Sequence, residues 1–128
     1  MKVRRKIKFG NVKDDIDGLA QKVLLKQKTA TSSLLDYYRL NLKEPSQLGD
    51  CFVVLDSSDK EIAVVRITKI KIVKFQDVSE LFAIEEGDGC LDNWLKIHRE
   101  YYSNQLLAIG GKLEGNTELV CEWFEVVS

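Results

Sequence analysis

The chain has 128 residues, with nineteen Lys and Arg against twenty Asp and Glu, for a formal net charge of -1. A content of 45% hydrophobic and 30% charged residues excludes a disordered chain and fits a single domain over residues 1–128. The balance hides an asymmetry: residues 1–74 hold sixteen basic and nine acidic side chains, and residues 75–128 hold three basic and eleven acidic. The first part is thus +7 and the second -8, which points to an anionic partner for the basic part unless folding interleaves the two.

No apolar run approaches the roughly 18 residues of a membrane span. The start, MKVRRKIKF, lacks an apolar stretch, so no secretory leader is expected. Cys51, Cys90 and Cys121 are widely spaced, without a CxxC pair, and His98 is the single histidine. Neither a disulfide framework nor a metal site is expected, no cofactor is implied, and the natural compartment is a reducing cytoplasm.

In chain order, residues 2–9 alternate loosely and read as a short edge strand or a basic arm. Ile16, Leu19, Ala20, Val23 and Leu24 share one face, so 16–27 is predicted to be a helix, with Asp14 or Asp15 as its cap. Residues 28–33, KTATSS, read as a hydroxyl-rich helix exit, because short hydroxylated side chains compete for backbone hydrogen bonds. A helical turn over 34–40 and a loop around Pro45 follow. Residues 51–56 and 61–74 form a predicted hairpin. Both faces of the longer strand carry apolar residues, which suits a barrel or a covered sheet. Strict alternation puts Ala63, Val65, Ile67 and Val73 on one face with Lys69 and Lys71. Helices over 77–86 and 90–107 and a strand over 118–127 complete an α+β chain.

Several segments carry candidate chemistry. Lys26 to Ser33 gathers two lysines and four hydroxyls, able to hold phosphate oxygens or a polar heterocycle; solvated lysines at a helix exit are the plain alternative. Glu85-Glu86-Gly87-Asp88-Gly89 offers a general acid or base, or simply a helix-capping loop. Trp94 and His98, four apart, form either a base-stacking platform or core packing. Arg66, Lys69, Lys71 and Lys74 make the long strand basic, to contact phosphates or to discourage edge pairing. Cys51 and Cys121 read as buried thiols and Cys90 as an exposed one. The absence of GxxxxGK[ST], GxGxxG and GxSxG leaves triphosphatase, dinucleotide and α/β-hydrolase readings without support.

Taken in order, Phe9-Gly10, Lys28-Thr29-Ala30-Thr31-Ser32, Gly49-Asp50, Arg66-Ile67-Thr68, Val73 to Val78, Phe82 to Gly89, Leu91 to Trp94 with His98, and Val120 to Phe124 resemble the ASCH domain family. The resemblance runs from Phe9 almost to the C-terminus and is to the longer, bacterial-type branch. It implies a PUA-like small β-barrel flanked by helices, with a cleft for RNA or a modified nucleoside. One smaller branch of the family resembles an amidohydrolase that deacetylates acetylcytidine. Its catalytic Lys, Thr and Glu match Lys28, Thr31 and Glu86 here. The glycine usual before that Lys-Thr run is Lys26 in this chain. The resemblance implies three readings: an RNA- or nucleoside-binding module, an amidohydrolase using Lys28, Thr31 and Glu86, or a protein-interaction module. Lys26, Ser32, Arg66, Thr68, Trp94 and His98 are then the expected ligand contacts. The cleft is expected where the basic and acidic parts meet.

Overall fold

The structure is a computed structural model describing residues 2–128. Strand β1 (Val3–Ile7) leads to helix α1 (Lys13–Leu24), then β2 (Ala30–Leu34), short α2 (Leu35–Arg39), β3 (Cys51–Leu55) and β4 (Glu61–Lys74). A 3-10 turn (Phe75–Asp77), α3 (Glu80–Glu86), α4 (Leu91–Ala108) and β5 (Glu118–Val126) follow. The five strands form one sheet in the order β1-β3-β4-β5-β2, with β1 parallel to β3 and the other pairs antiparallel.

The expected barrel is not formed. β1 and β2 are the two outer strands of an open sheet and do not pair with each other. The apolar residues on both faces of β4 are covered by helices instead. On one face, Ala20 and Val23 of α1 pack with Phe52, Val54, Ala63, Val65, Ile67 and Phe124. On the other, Phe82 and Ala83 of α3 and Trp94, Tyr102 and Leu106 of α4 pack with Ala30, Leu34, Leu119 and Cys121.

A bulge in β4 lets one strand serve both cores. Ile67 sits opposite Phe124 and Lys69 opposite Trp123, so Thr68 is an extra residue in the ladder. Beyond it the faces exchange, against the strict alternation expected from the sequence. Ala63, Val65 and Ile67 face α1, whereas Val73 packs beside α3 and α4.

The second departure is β2. The hydroxyl-rich segment is an edge strand from Ala30 to Leu34, paired with β5. Neighbouring residues of a strand point to opposite faces, so Ala30, Ser32 and Leu34 face α3 and α4 while Thr31 and Ser33 face away. The turn from α1 into β2 also departs from ordinary geometry. Lys26 has φ 62, the left-handed region in which glycine is unstrained. At the start of α1 the expected aspartate cap is absent. Val12 holds the cap position without a side-chain hydrogen bond, and Asp14 and Asp15 lie in the first turn, where their charge suits the helix dipole. α3 is capped by Ser79, whose side chain accepts from the Phe82 N–H at 3.1 Å, and it ends at Gly87 in the left-handed conformation.

Candidate functional site

β2 and α3 are brought together by the Thr29 N–H, which donates to the Glu85 carbonyl at 2.7 Å. This places Lys28, at the entry to β2, against Glu86, at the end of α3. Both are buried, at 3% and 6% exposure. Gly87 then turns the chain away, and its carbonyl accepts from Lys22 Nζ at 2.8 Å. A side chain at Gly87 would lie 3.4 Å from the Lys28 Cβ, so the tight exit from α3 also fits the lysine beneath it.

Around Glu86 the hydrogen bonding is dense. Oε1 accepts from Ser32 Oγ at 2.5 Å and from Trp94 Nε1 at 2.8 Å. Lys28 Nζ donates to the Ala30 carbonyl at 2.8 Å and the Glu86 carbonyl at 3.0 Å, and lies 3.5 Å from Glu86 Oε2. His98 Nδ1 donates to the Trp94 carbonyl at 2.8 Å, and its Nε2 stands 3.5 Å from Glu86 Oε1. The ring is sandwiched on Trp94, with centroids 4.2 Å apart. Tyr102 closes the group with its hydroxyl 2.5 Å from Ser32 Oγ; because Ser32 donates to Glu86, Tyr102 donates to Ser32.

These contacts set the charges. Burial works to raise the Glu86 carboxyl, but the Lys28 charge and the donors His98 and Ser32 outweigh it and hold the value down to about 2. Burial pulls the Lys28 ammonium below its ordinary value, against the stabilising charges of Glu86 and Asp88. For His98, burial disfavours the charged ring, yet the Glu86 hydrogen bond and charge prevail and raise it. A proton on Nδ1 is committed to the Trp94 carbonyl, so only the doubly protonated ring also offers Nε2–H to Glu86. Burial raises Tyr102 well above its ordinary value and raises Asp88 too.

The cluster forms part of the wall of a cavity of about 1110 Å³. Arg5, Lys22, Lys28 and Lys43 line it from the basic part of the chain, and Glu86, Asp88, Glu100 and Glu122 from the acidic part. The cavity is thus where the two parts meet, mixed in charge as expected. Phe9, Phe52, Tyr101 and Phe124 supply apolar wall.

The expected site residues divide into three groups. Lys28, Ser32, Glu86 and His98 converge on the cavity. Thr31 also lines it, but from the opposite face of β2, across from Glu122 rather than beside Glu86; the hydroxyl on Glu86 is that of Ser32. Trp94 joins the cluster from within the core. It is 0% exposed and has no surface on which a base could stack, because Phe75, Phe82 and His98 enclose it. Lys26, Arg66 and Thr68 do not line the cavity. Lys26 sits on the exposed turn after α1, Arg66 pairs with Glu125 at 2.7 Å on the surface, and Thr68 occupies the bulge. Thr68 borders instead a groove of about 780 Å³ with Lys69, Lys71 and Trp123. Cys51 and Cys121 are buried and Cys90 exposed, as read from the sequence. Sequence reasoning missed Tyr102 as a member of the cluster and Glu122 as a cavity residue. Glu122 did carry a signal, a lone acid in the middle of the apolar run LVCEWF. Among the described residues no group of three His, Cys, Asp or Glu could hold a metal ion, and no helix is long and apolar enough to cross a membrane.

An α+β sheet covered by helices on both faces, with a buried Lys–Glu pair opening onto a mixed-charge cavity, defines a class of small modules. The chain belongs to the ASCH domain family, whose model matches residues 5–128. It is similar to the ASCH domain from Lactobacillus crispatus JV V101, at 28% identity and TM-score 0.91, over 95% of this chain and 78% of that one. A protein from Enterococcus faecalis V583 is 32% identical, with TM-score 0.89, over 99% of this chain and 78% of that one. A solved hypothetical protein at 15% identity and TM-score 0.60, covering 96% of both chains, shares the fold alone. No curated protein matches the chain.

Proposed function

We propose that the chain binds a nucleoside unit, free or within single-stranded RNA, in the cavity beside Lys28 and Glu86. The observation that carries this reading is the mixed wall of that cavity: cations and carboxylates face it together with Phe9, Phe52 and Tyr101. Such a wall suits a flat heterocycle with donors and acceptors on its edge and a sugar at its rim. A uniformly positive groove would suit a long duplex instead. The acids on this wall limit how many phosphates the site can neutralise. Isothermal titration calorimetry with the four ribonucleosides and a short single-stranded oligoribonucleotide tests the reading. Saturable binding with a shallow dependence on salt is expected. Absence of binding to all five probes overturns it.

An amidohydrolase reading is favoured by one further observation, the presence of Lys28, Thr31 and Glu86 on the wall of one cavity, where burial pulls the Lys28 ammonium below its ordinary value. Thr31 would attack the acyl carbon of an acetylated nucleoside as Lys28, having first lost a proton to solvent, takes the proton of the threonine. The nucleoside amine would leave with that proton, and water would release acetate from the threonine ester. Glu86, held ionised down to about 2, supports the lysine rather than shuttling a proton. Incubation with acetylcytidine tests this. Turnover that disappears in Thr31→Ala supports the reading, and no turnover by the wild type refutes it.

A further inference from the structure

Three buried side-chain atoms among the described residues lack a hydrogen-bond partner: Arg5 Nη1, Asp88 Oδ2 and Glu122 Oε2. All three residues line the same cavity. Two have an electrostatic neighbour close by. Arg5 Nη1 stands 3.6 Å from Glu44 Oε2, and Asp88 Oδ2 stands 3.7 Å from His98 Nδ1. Among the described residues Glu122 has no ion-pair partner within 4.0 Å, although it is only 6% exposed. A buried carboxylate oxygen left without a donor is costly, and one on a cavity wall is placed to meet a donor on a ligand.

The position of Glu122 is fixed by the sheet. It lies directly opposite Thr31 in the β2–β5 ladder, so the two side chains share one face. That face is the reverse of the one on which Ser32 reaches Glu86. Two cations, Arg5 and Lys43, line the same cavity as Glu122, and Glu122 and Arg5 both act electrostatically on Lys43 and on Tyr38. Arg5 is oriented by its guanidinium over the Phe52 ring at 4.6 Å and by Nη2 donating to the Glu44 carbonyl at 3.2 Å. Lys43 lies over the Tyr38 ring at 5.8 Å, and Tyr38 is itself tied to Ser33 at 2.8 Å. A carboxylate acceptor and cationic donors therefore share the wall of the cavity, with no ion pair between Glu122 and Arg5 among the described residues.

We propose that Glu122 is the specificity-determining residue of the cavity. Its Oε2 accepts an N–H from the base of the bound nucleoside, and Arg5 or Lys43 donates to a carbonyl or ring nitrogen of the same base. This rests on the nucleoside reading above and adds which edge is recognised. Each of the four ribonucleosides carries an N–H beside an acceptor, a carbonyl in uridine, guanosine and cytidine and a ring nitrogen in adenosine, so each can meet both poles. A derivative methylated at that N–H, such as 3-methyluridine, leaves Glu122 unanswered. Pairing of this kind discriminates by about tenfold or more, because the wrong ligand leaves a buried group without a partner.

The test is calorimetric titration of wild type, Glu122→Gln and Glu122→Asp with each of the four ribonucleosides and its derivative methylated at the N–H. Wild type should bind at least one of the four about tenfold more tightly than its methylated derivative, as with uridine against 3-methyluridine. Glu122→Gln should lose about tenfold on that nucleoside, and Glu122→Asp, which keeps the acceptor on a shorter arm, should retain the preference. Thermal melting of each variant reports folding. Wild type that binds nucleosides with the same ranking and strength as Glu122→Gln overturns the role of Glu122 and leaves the nucleoside reading standing. Wild type that binds no nucleoside overturns both.

Discussion

Two carboxylates face the same cavity in opposite circumstances. Glu86 accepts from Ser32 and Trp94, lies beside Lys28 and faces His98. Glu122 is equally buried, and its Oε2 accepts from nothing. The first is a finished network with its charge fixed, and the second is a site left open on one side. The contrast separates the group that holds β2 and α3 together from the group available to read a ligand. It also reverses the weight suggested by family resemblance, which falls on Glu86 and passes over Glu122.

The largest effect that would sharpen this contrast is on folding. Glu86→Ala strands the Lys28 ammonium and unpairs Ser32 and Trp94, so it should destabilise by about 3–5 kcal/mol in urea unfolding. A loss below about 1 kcal/mol would mean that the network is not the fastening described. Next comes pH. Because the folded Glu86 carboxyl lies at about 2, below its ordinary 4.5, its contribution is present above about 4.5 and lost as pH falls toward 2. That difference corresponds to on the order of 3 kcal/mol, to be read as wild type minus Glu86→Gln across that range. Parallel curves for the two proteins would refute it. His98 has the opposite sign. Its folded value is raised, so its contribution is full below 6.5 and fades as pH rises through that raised value. Stability should therefore be highest between the two windows.

Glu122→Gln should change unfolding stability by less than about 1 kcal/mol, in either direction, since no protein hydrogen bond to Oε2 is removed. A loss as large as that of Glu86→Ala would erase the distinction between the two acids. The smallest effect concerns the approach to the site. Lys26→Gly relieves about 1–2 kcal/mol of left-handed strain and gives back about 0.5–1 kcal/mol to glycine's greater freedom in the unfolded chain. A net gain of roughly 0.5 kcal/mol in unfolding free energy is expected; a net loss would place the strain elsewhere.

Much of the fold was legible because its helices and long strands carry their own periodicity. The bounds of β4 were read correctly, and α1, α3, α4 and β5 were found with small shifts at their ends. β2 was not legible. Ala-Thr-Ser-Ser-Leu has no apolar alternation, and its strand conformation comes from pairing with β5. That one omission hid the most about the site. Only once residues 30–34 are a strand do Ser32 and Thr31 part to opposite faces, one to Glu86 and the other to Glu122. The resemblance implied a site of Lys28, Thr31 and Glu86; Lys28 and Glu86 lie together, and Thr31 lies across from Glu122. Trp94 could be read equally as a platform or as core, because a helical stripe of aromatics looks the same in both. The open sheet in place of a barrel depends on how two distant edges lie, which no local pattern encodes.

The bulge at Thr68 bears on how this strand can change in length. Ile67 and Lys69 face consecutive residues of β5, so deleting Thr68 would leave an uninterrupted ladder with every later side chain still on its present face. A single deletion between Lys69 and Lys71 that left the bulge in place would instead turn Val73 out to water. Within β4, Thr68 is thus the position where a codon can be lost without turning the strand inside out.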